Sequence, residues 1–467
     1  MPRLLLRKAI AVVVREASIR LQNASAGRRM SITCFLIGVC VLAGGLSCPD
    51  DPVRLALSGQ TDNTSEVSIF FTGSELGALK PCGCSGGQLG GLSKRTVVFD
   101  RVPGGSRAIV DTGTLVAGTG GQDLIKFRIL FEAFRLLGYD LVHLTDEDVQ
   151  IAHSLGLEAP QDGSFSVIGT PWGPDQADPP RTFVKRLAVQ GRQITVRFAA
   201  LDARIASPES AAEAFGVQVG TYCVDILILR NADADSRPIW TAFSDVDCIV
   251  WPSDSDEPQI LSEPGQRPLV FTVGRFGRHI SRLSVDFSGP DSGPALSLED
   301  IPVEETLPEN ESLARLYRQY QQIVTQSGLL EKYPRVPLPG QLQYVGSGQC
   351  RWCHVIEHGE WSPNPHADAF ATLVEVGSDR DPECVICHVV GMDRETGYIN
   401  EARTPHLKDV GCETCHGPGS EHIRSNGWLP TTEPKMTCLD CHTPDHSSGY
   451  AGHEDEFREK IRHWWEP

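Results

Sequence analysis

Cys350-Arg-Trp-Cys353-His354, Cys384-Val-Ile-Cys387-His388, Cys412-Glu-Thr-Cys415-His416 and Cys438-Leu-Asp-Cys441-His442 are copies of one pentapeptide. Cys-x-x-Cys-His is the attachment signal of a c-type haem: the thiols add to the porphyrin vinyl groups as thioethers, and the His ligates the iron. With 15 Cys and 14 His in 467 residues, random order would give on the order of 0.01 copies. A zinc domain or a disulfide cluster needs Cys pairs, but not a His after each second Cys. The sequence therefore predicts four covalent haems, with the eight motif Cys as attachment points and His354, His388, His416 and His442 as iron ligands.

The motif starts lie 34, 28 and 26 residues apart. That spacing leaves little apolar sequence per haem, so the porphyrins themselves are expected to form the core, and the region is not expected to fold without them. It also brings the haems close together, as an electron wire requires. The spare imidazoles for the second axial positions are His358, His366, His406, His422, His446, His453 and His463. His366 opens an expected helix, His406 and His422 flank the third motif, and His463 lies on the amphipathic Phe457–Trp465 segment. A solvated surface His is the plain alternative for each, and His358 is expected to be one.

Tyr344-Val-Gly-Ser-Gly-Gln-Cys350, the Trp361…Pro-His366-Ala segment and Val410-Gly-Cys-Glu-Thr-Cys-His-Gly-Pro-Gly-Ser-Glu-His422 resemble the tetrahaem cytochrome c-554 family over residues 341–467. The resemblance implies a mostly α-helical haem domain, stacked haem pairs, extracytoplasmic electron transfer and mainly bis-His irons. It points to His366, His406 and His422, then His463, as distal ligands. Some family members leave one iron without a distal ligand.

Outward from this region, the chain is hydrophobic enough for a real core at 40%. Its net charge of −18 excludes nucleic acid as a partner and suits a redox protein with a basic docking patch. Residues 1–29 carry seven Lys/Arg and one acid, and Ile32–Leu46 is a run of 15 apolar or small residues before Ser47-Cys48. Residues 1–48 therefore read as an export leader, and 49–65 as a tether. Three fates fit: lipidation at Cys48, plain cleavage, or retention as an anchor. Export to the periplasm or the outer side of the membrane also fits haem attachment, and permits a disulfide among Cys82, Cys84, Cys223 and Cys248.

From Glu66, short apolar runs between turns predict strands at 67–71, 108–110, 140–142, 166–168, 194–201, 224–229, 246–250, 269–273 and 280–287. An amphipathic helix is predicted over Asp123–Leu137, and an antiparallel hairpin over Thr182–Leu201. The fold class is multidomain: a layered α/β domain at 66–290, then a haem domain at 341–467. Residues 291–340 read as a linker with one helix, 313–330, whose face holds Leu313, Tyr317, Tyr320, Ile323 and Val324. Phe70-Phe-Thr-Gly-Ser-Glu-Leu-Gly77, Pro81-Cys-Gly-Cys-Ser-Gly-Gly-Gln-Leu-Gly-Gly-Leu92 and Val110-Asp-Thr-Gly-Thr114 resemble the metallophosphoesterase domain of 5′-nucleotidase-like proteins. That resemblance implies a dinuclear metal site at strand ends. Its ligand positions here hold Ser74 and Leu76, Gly113-Thr114, the Leu144–Asp148 stretch and the Trp251–Asp256 stretch. Residues 49–312 offer only His143, His153 and His279. The domain thus reads as a phosphoesterase fold without its chemistry and with no catalytic residue, its acids Asp111, Asp146, Glu147 and Asp148 as solvated loop residues, with weak binding of a hard cation as the alternative. An electron carrier is the first expectation, a haem enzyme with one open iron acting on a small nitrogen or oxygen species the second, and an active phosphoesterase the third.

Overall fold

The computed structural model describes residues 66–463 other than 82–86, 159, 161, 170–181, 205, 217–221, 233–238, 253, 288–292, 432–437 and 448. The leader, the tether, Cys82 and Cys84 fall outside the described residues.

In chain order the strands are β1 (Glu66–Thr72), β2 (Arg107–Asp111), β3 (Leu141–Leu144), β4 (Ser166–Gly169), β5 (Thr182–Val189) and β6 (Arg192–Asp202). β7 (Cys223–Arg230), β8 (Cys248–Trp251), β9 (Gln259–Ile260), β10 (Leu269–Thr272), β11 (His279–Asp286) and β12 (Ala295–Pro302) follow. They form two sheets, ordered β12-β11-β1-β2-β3-β4 and β5-β6-β7-β8-β10-β9. The alternation of side chains along a strand decides how these sheets stack. Val67, Ile69 and Phe71 of β1 meet Ile194, Val196 and Phe198 of β6 in one buried layer between the sheets. Phe70, between them in sequence, faces the opposite way. There it meets Phe127, Leu130 and Phe134 of the Gly121–Leu137 helix, so the two faces of β1 serve two cores. The outer face of the second sheet buries Ala199, Leu227 and Ile249.

The helices of this half are α1 (Arg95–Phe99), α2 (Gly121–Leu137), α3 (Asp146–Ser154), α4 (Pro208–Phe215) and α5 (Glu311–Ser327). α2 ends at Gly138, whose φ of 71° closes the helix in the left-handed region that glycine tolerates. α5 joins the α2 core through Leu313, Leu316, Tyr320 and Val324. The buried face is thus rotated from the predicted one, and Ile323 stays exposed.

Two further expectations need correction. The supposed linker carries β12, paired with β11 over its whole length from His279↔Pro302 to Asp286↔Ala295. Its pattern was illegible because it is an edge strand: Glu299 faces Arg282 (3.4 Å) and Asp300 faces His279 (2.8 Å), and such charge blunts an edge. The acids Asp146–Asp148 are not loop residues but the first turn of α3. Asp148 is buried and accepts from the amides of Thr114 (2.8 Å), Leu115 (3.0 Å) and Thr145 (3.1 Å), while Asp146 pairs with Arg230 at 2.5 Å.

The haem half is built of short helices: α6 (Ser347–Cys350), α7 (Val355–Trp361), α8 (Ala369–Val376), α9 (Pro382–Val385), α10 (Cys412–His416), α11 (Ser420–Arg424), α12 (Cys438–Cys441) and α13 (Glu454–Lys460). It has an apolar core of its own around the second motif. Phe370, Leu373, Val385, Val389, Val390, Met392, Tyr398 and Leu407 cluster with Leu330. The expectation that porphyrins alone would form its core does not hold there. As for the expected disulfide, Cys223 bonds Asp225 Oδ1 at 3.7 Å, and Cys248 is a free thiol sealed between the sheets.

His143 gives a pH test of this half. Its Nδ1 bonds Thr112 O at 2.8 Å, and burial lowers the ring from 6.5 to about 4. Between those values the unfolded chain takes up a proton that the folded ring refuses. Stability is therefore full above pH 6.5 and falls toward pH 4, by on the order of 3 kcal/mol. Denaturant melts across that range should show this slope, and His143→Gln should flatten it. An equal slope in the variant would refute the assignment.

Candidate functional site

A helical turn places residues i and i+3 on one side, so a Cys-x-x-Cys on such a turn presents both thiols to one plane. The third and fourth motifs have this form throughout, and the first and second begin on a helix and continue into a turn. Cys350 closes α6, Cys384 lies in α9, and the third and fourth pairs lie within α10 and α12. The folded chain then sets the motifs side by side. The thiols of Cys350 and Cys412 share a hydrogen bond, as do those of Cys387 and Cys441, and Cys438 lies within electrostatic reach of Cys415. The spatial order of the motifs is therefore first, third, fourth, second.

Three of the candidate distal imidazoles stand opposite motif imidazoles. The ring centroids of His354 and His422 are 5.9 Å apart, those of His442 and His366 are 6.1 Å apart, and those of His416 and His463 are 6.2 Å apart. An imidazole nitrogen binds its metal at about 2 Å, so two rings on opposite sides of one iron have centroids roughly 6 Å apart. The spacing fits a haem iron between each pair.

Hydrogen bonding selects the nitrogen left to ligate. A ring whose Nδ1–H is committed to a fixed acceptor has Nε2 as the nitrogen that could ligate. His422 Nδ1 bonds Leu429 O at 2.8 Å, His463 bonds Ile461 O at 3.0 Å, and His388 bonds Ala369 O at 2.6 Å. His442 Nδ1 meets Ser447 Oγ at 3.1 Å. Burial, then the neighbouring His442 and His388, hold His366 below its usual pKa. Burial and His463 do the same for His416. Both shifts favour the neutral ring, the form that ligates a metal.

His406 stands apart. It is exposed on the Pro405–Leu407 turn, and its ring faces no other His ring among the described residues. His358 is half-buried, its ring 5.4 Å from Trp361, rather than fully exposed.

Other groups at the site were not singled out in the sequence. Glu413, between the thiols of the third motif, is buried and accepts from the amides of Val345 (2.9 Å), Gly346 (2.7 Å) and Gly419 (2.7 Å). It ties the entry to the haem half to the third motif. Tyr450 stacks on His442 at 4.9 Å, and Phe457 packs edge-on against both. Only the aromatic spacing near the C-terminus hinted at these last two.

At the strand ends of the α/β half, where the resemblance placed metal ligands, a different arrangement is found. Ser74 (φ 47°), Leu76 (φ 49°) and Thr114 (φ 62°) adopt left-handed backbone, and Ser74 N bonds Gly113 O at 2.8 Å. Between Ser74 and Leu76, Glu75 turns inward and forms a fully buried fork with Arg95, both oxygens at 2.6 Å. Arg95 also donates to Tyr139 (3.2 Å), whose hydroxyl meets Thr72 (2.8 Å); Thr72 donates to Asp111 (2.7 Å). Burial, then the Glu75 charge, push the Asp111 carboxyl well above its usual range. No group of three or more His, Cys, Asp or Glu side chains placed to hold a metal occurs among the described residues.

Residues 349–417 match the family model described as cytochrome c554 and c-prime. The chain is 33% identical over 97 residues to cytochrome c-554 of Nitrosomonas europaea, covering 18% of this chain and 41% of that one. It is 34% identical over 89 residues to the C-type polyheme cytochrome OmcB of Geobacter sulfurreducens, covering 18% and 12%. The chain thus spans about two-fifths and about an eighth of the lengths of these relatives. The α/β half resembles a 5′-nucleotidase precursor from Thermus thermophilus (TM-score 0.41, 14% identity, 67% of this chain and 68% of that one). It also resembles calcineurin-like phosphoesterase YfkN from Bacillus subtilis (TM-score 0.38, 14% identity, 55% and 97%). Both similarities are distant.

Replacing His422, His366 or His463 by Ala should each convert one iron from low to high spin in the optical spectrum. His406→Ala should leave the low-spin content unchanged. Loss of low-spin iron in His406→Ala would contradict the pairing. Glu413→Ala strands three backbone donors and should cost about 2–4 kcal/mol, read as a lower melting temperature of the holoprotein.

Proposed function

We propose that this chain is an exported tetrahaem c-type cytochrome that carries electrons between redox proteins, and that its α/β half holds and positions the haem half without acting on phosphate esters. The observation that carries the reading is the set of three opposed His pairs at 5.9–6.2 Å, each joining a motif to a residue distant in sequence. The motif order supports it as well, since a continuous row of sites suits transfer from one end to the other. Bound haem iron would supply one-electron storage. The chain's own residues do the rest. Imidazoles on both faces favour low-spin iron, which changes little in structure on reduction. The carbonyl and hydroxyl acceptors on Nδ1 hold the rings in orientation.

The partner is proposed to meet the end of the row at the first motif, where Trp352, Val355 and Ile356 stand exposed. A net charge of −18 suits a basic partner, steered by charge. In the α/β half, the Arg95 guanidinium among Glu75 and Tyr139 takes the place of metal chemistry. No helix among the described residues is long and apolar enough to cross a membrane.

The test is to express the full chain with its leader and measure haem per polypeptide, together with its reduction by a basic cytochrome at rising ionic strength. Four haems per chain and a rate that falls as salt rises are expected. Fewer than four haems would remove the tetrahaem reading. A large high-spin signal that shifts with nitric oxide or cyanide would instead favour a haem enzyme with one open iron. Manganese-dependent hydrolysis of a generic phosphate ester, abolished by a chelator, would overturn the non-catalytic reading of the α/β half.

A further inference from the structure

The α/β half grips the segment immediately before the second motif. Gln122 of α2 donates from Nε2 to Asp381 Oδ1 at 2.6 Å and to the Tyr320 hydroxyl at 2.8 Å. Tyr320 of α5 donates its own hydroxyl to Asp381 Oδ2 at 2.8 Å. One turn further along α2, the Lys126 ammonium is ion-paired with Glu383. Asp381 is the N-cap of α9 and accepts from Glu383 N at 3.0 Å. α9 carries Cys384, the first thioether position of that motif. Tyr320, Asp381 and Lys126 are all buried.

The Lys126 stem runs over Gly77, where an added Cβ would lie 2.9 Å from Lys126 Cδ. Gly77 has φ 79° and its amide bonds Leu115 O at 2.7 Å. The loop that would have carried metal ligands in a phosphoesterase therefore shapes the channel that aims this lysine at the haem half.

We propose that the α/β half sets the reduction potential of the haem bound at Cys384 and Cys387, with Lys126 as the positioning residue that does so. Charge supplies the reason. Reduction lowers the charge at the iron by one, so a nearby cation favours the reduced form and an unpaired carboxylate favours the oxidised form. Asp379, Asp381 and Glu383 precede the motif, and Arg380 is shared between Asp379 and Glu331. Lys126 is the cation brought to Glu383 from the other half of the molecule. Its side chain is 10% exposed and that of Glu383 is 50% exposed, so water screens the pair only in part. The Gln122–Tyr320–Asp381 set holds the backbone against which this charge acts. The inference rests on the haem-protein reading only in requiring that haem is attached at the second motif.

The test is an optical potentiometric titration of the full-length holoprotein, with electrons supplied through mediators. In Lys126→Met, one of the potentials should fall, shifting its reduction equilibrium by up to about tenfold (59 mV for one electron). Glu383→Gln should raise the same potential, and the double variant should return toward the parent value. Lys126→Arg should restore the parent value. Tyr320→Phe keeps all charges, so it should lower thermal stability while leaving the potentials in place, which separates the electrostatic role from a merely structural one. Unchanged potentials in folded Lys126→Met and Glu383→Gln would overturn the proposal, as would shifts of both in one direction. If Lys126→Met yields no holoprotein, Glu383→Gln decides alone, and an unmoved potential there overturns the proposal. A protein with these shifts that fails to exchange electrons with any basic cytochrome would sink the carrier reading and leave this one standing.

Discussion

Two imidazoles can share one iron only if their rings stand roughly 6 Å apart, are neutral, and each turn a nitrogen lone pair toward the metal. A short haem region with little apolar sequence cannot meet that condition by packing alone. The structure meets it with fixed polar contacts. Backbone carbonyls take Nδ1 of His388, His422 and His463, and Glu413 ties the start of the region to the third motif. The aromatic pair Tyr450 and Phe457 braces His442. Together these contacts fix where the rings point.

The α/β half extends the same logic across the chain. Its two sheets and their helices form an independent set of cores, so it can act as a rigid body against which the haem half is held. Its contacts gather at the second and fourth motifs. Arg278 reaches Asp445 (3.1 Å) and Gln88 reaches the carbonyl of His446 (3.3 Å), both just past the fourth motif. Asp381 and Glu383 are gripped just before the second. These two motifs are neighbours, so one end of the row is held by the α/β half. A buried ion pair such as Arg95–Glu75 is costly to desolvate and would be a poor choice for stability alone. Here it closes the strand ends by joining Glu75, Tyr139, Thr72 and Asp111 in one hydrogen-bonded set.

The sequence disclosed what is local. Four pentapeptides announced the attachment sites, short apolar runs between turns pointed to most strands, and i, i+3, i+4 spacing to α2. What depends on tertiary pairing stayed hidden. β12 carries only a short alternation, Leu296 and Leu298 packing on the core between the sheets before the charges Glu299 and Asp300 of an edge strand, so its composition read as a linker. α5 could be recognised as amphipathic, but the choice between Leu316 and Ile323 for its buried face is made by α2, which the pattern does not contain. His406 and His422 looked alike as flanks of the third motif, yet only His422 is carried opposite a motif ring. Lys126 and Glu383 lie 257 residues apart, and no short-range rule connects them. Glu413 occupies a variable position of its motif and looked like any surface acid until three amides were found pointing at it.

The most direct test of the central claim is to count irons that carry two neutral imidazoles in the oxidised full-length protein, by near-infrared magnetic circular dichroism against total haem. The paired rings predict at least three such irons per chain. One or none would mean that the opposed His pairs do not hold iron, and the chain would not be an electron wire.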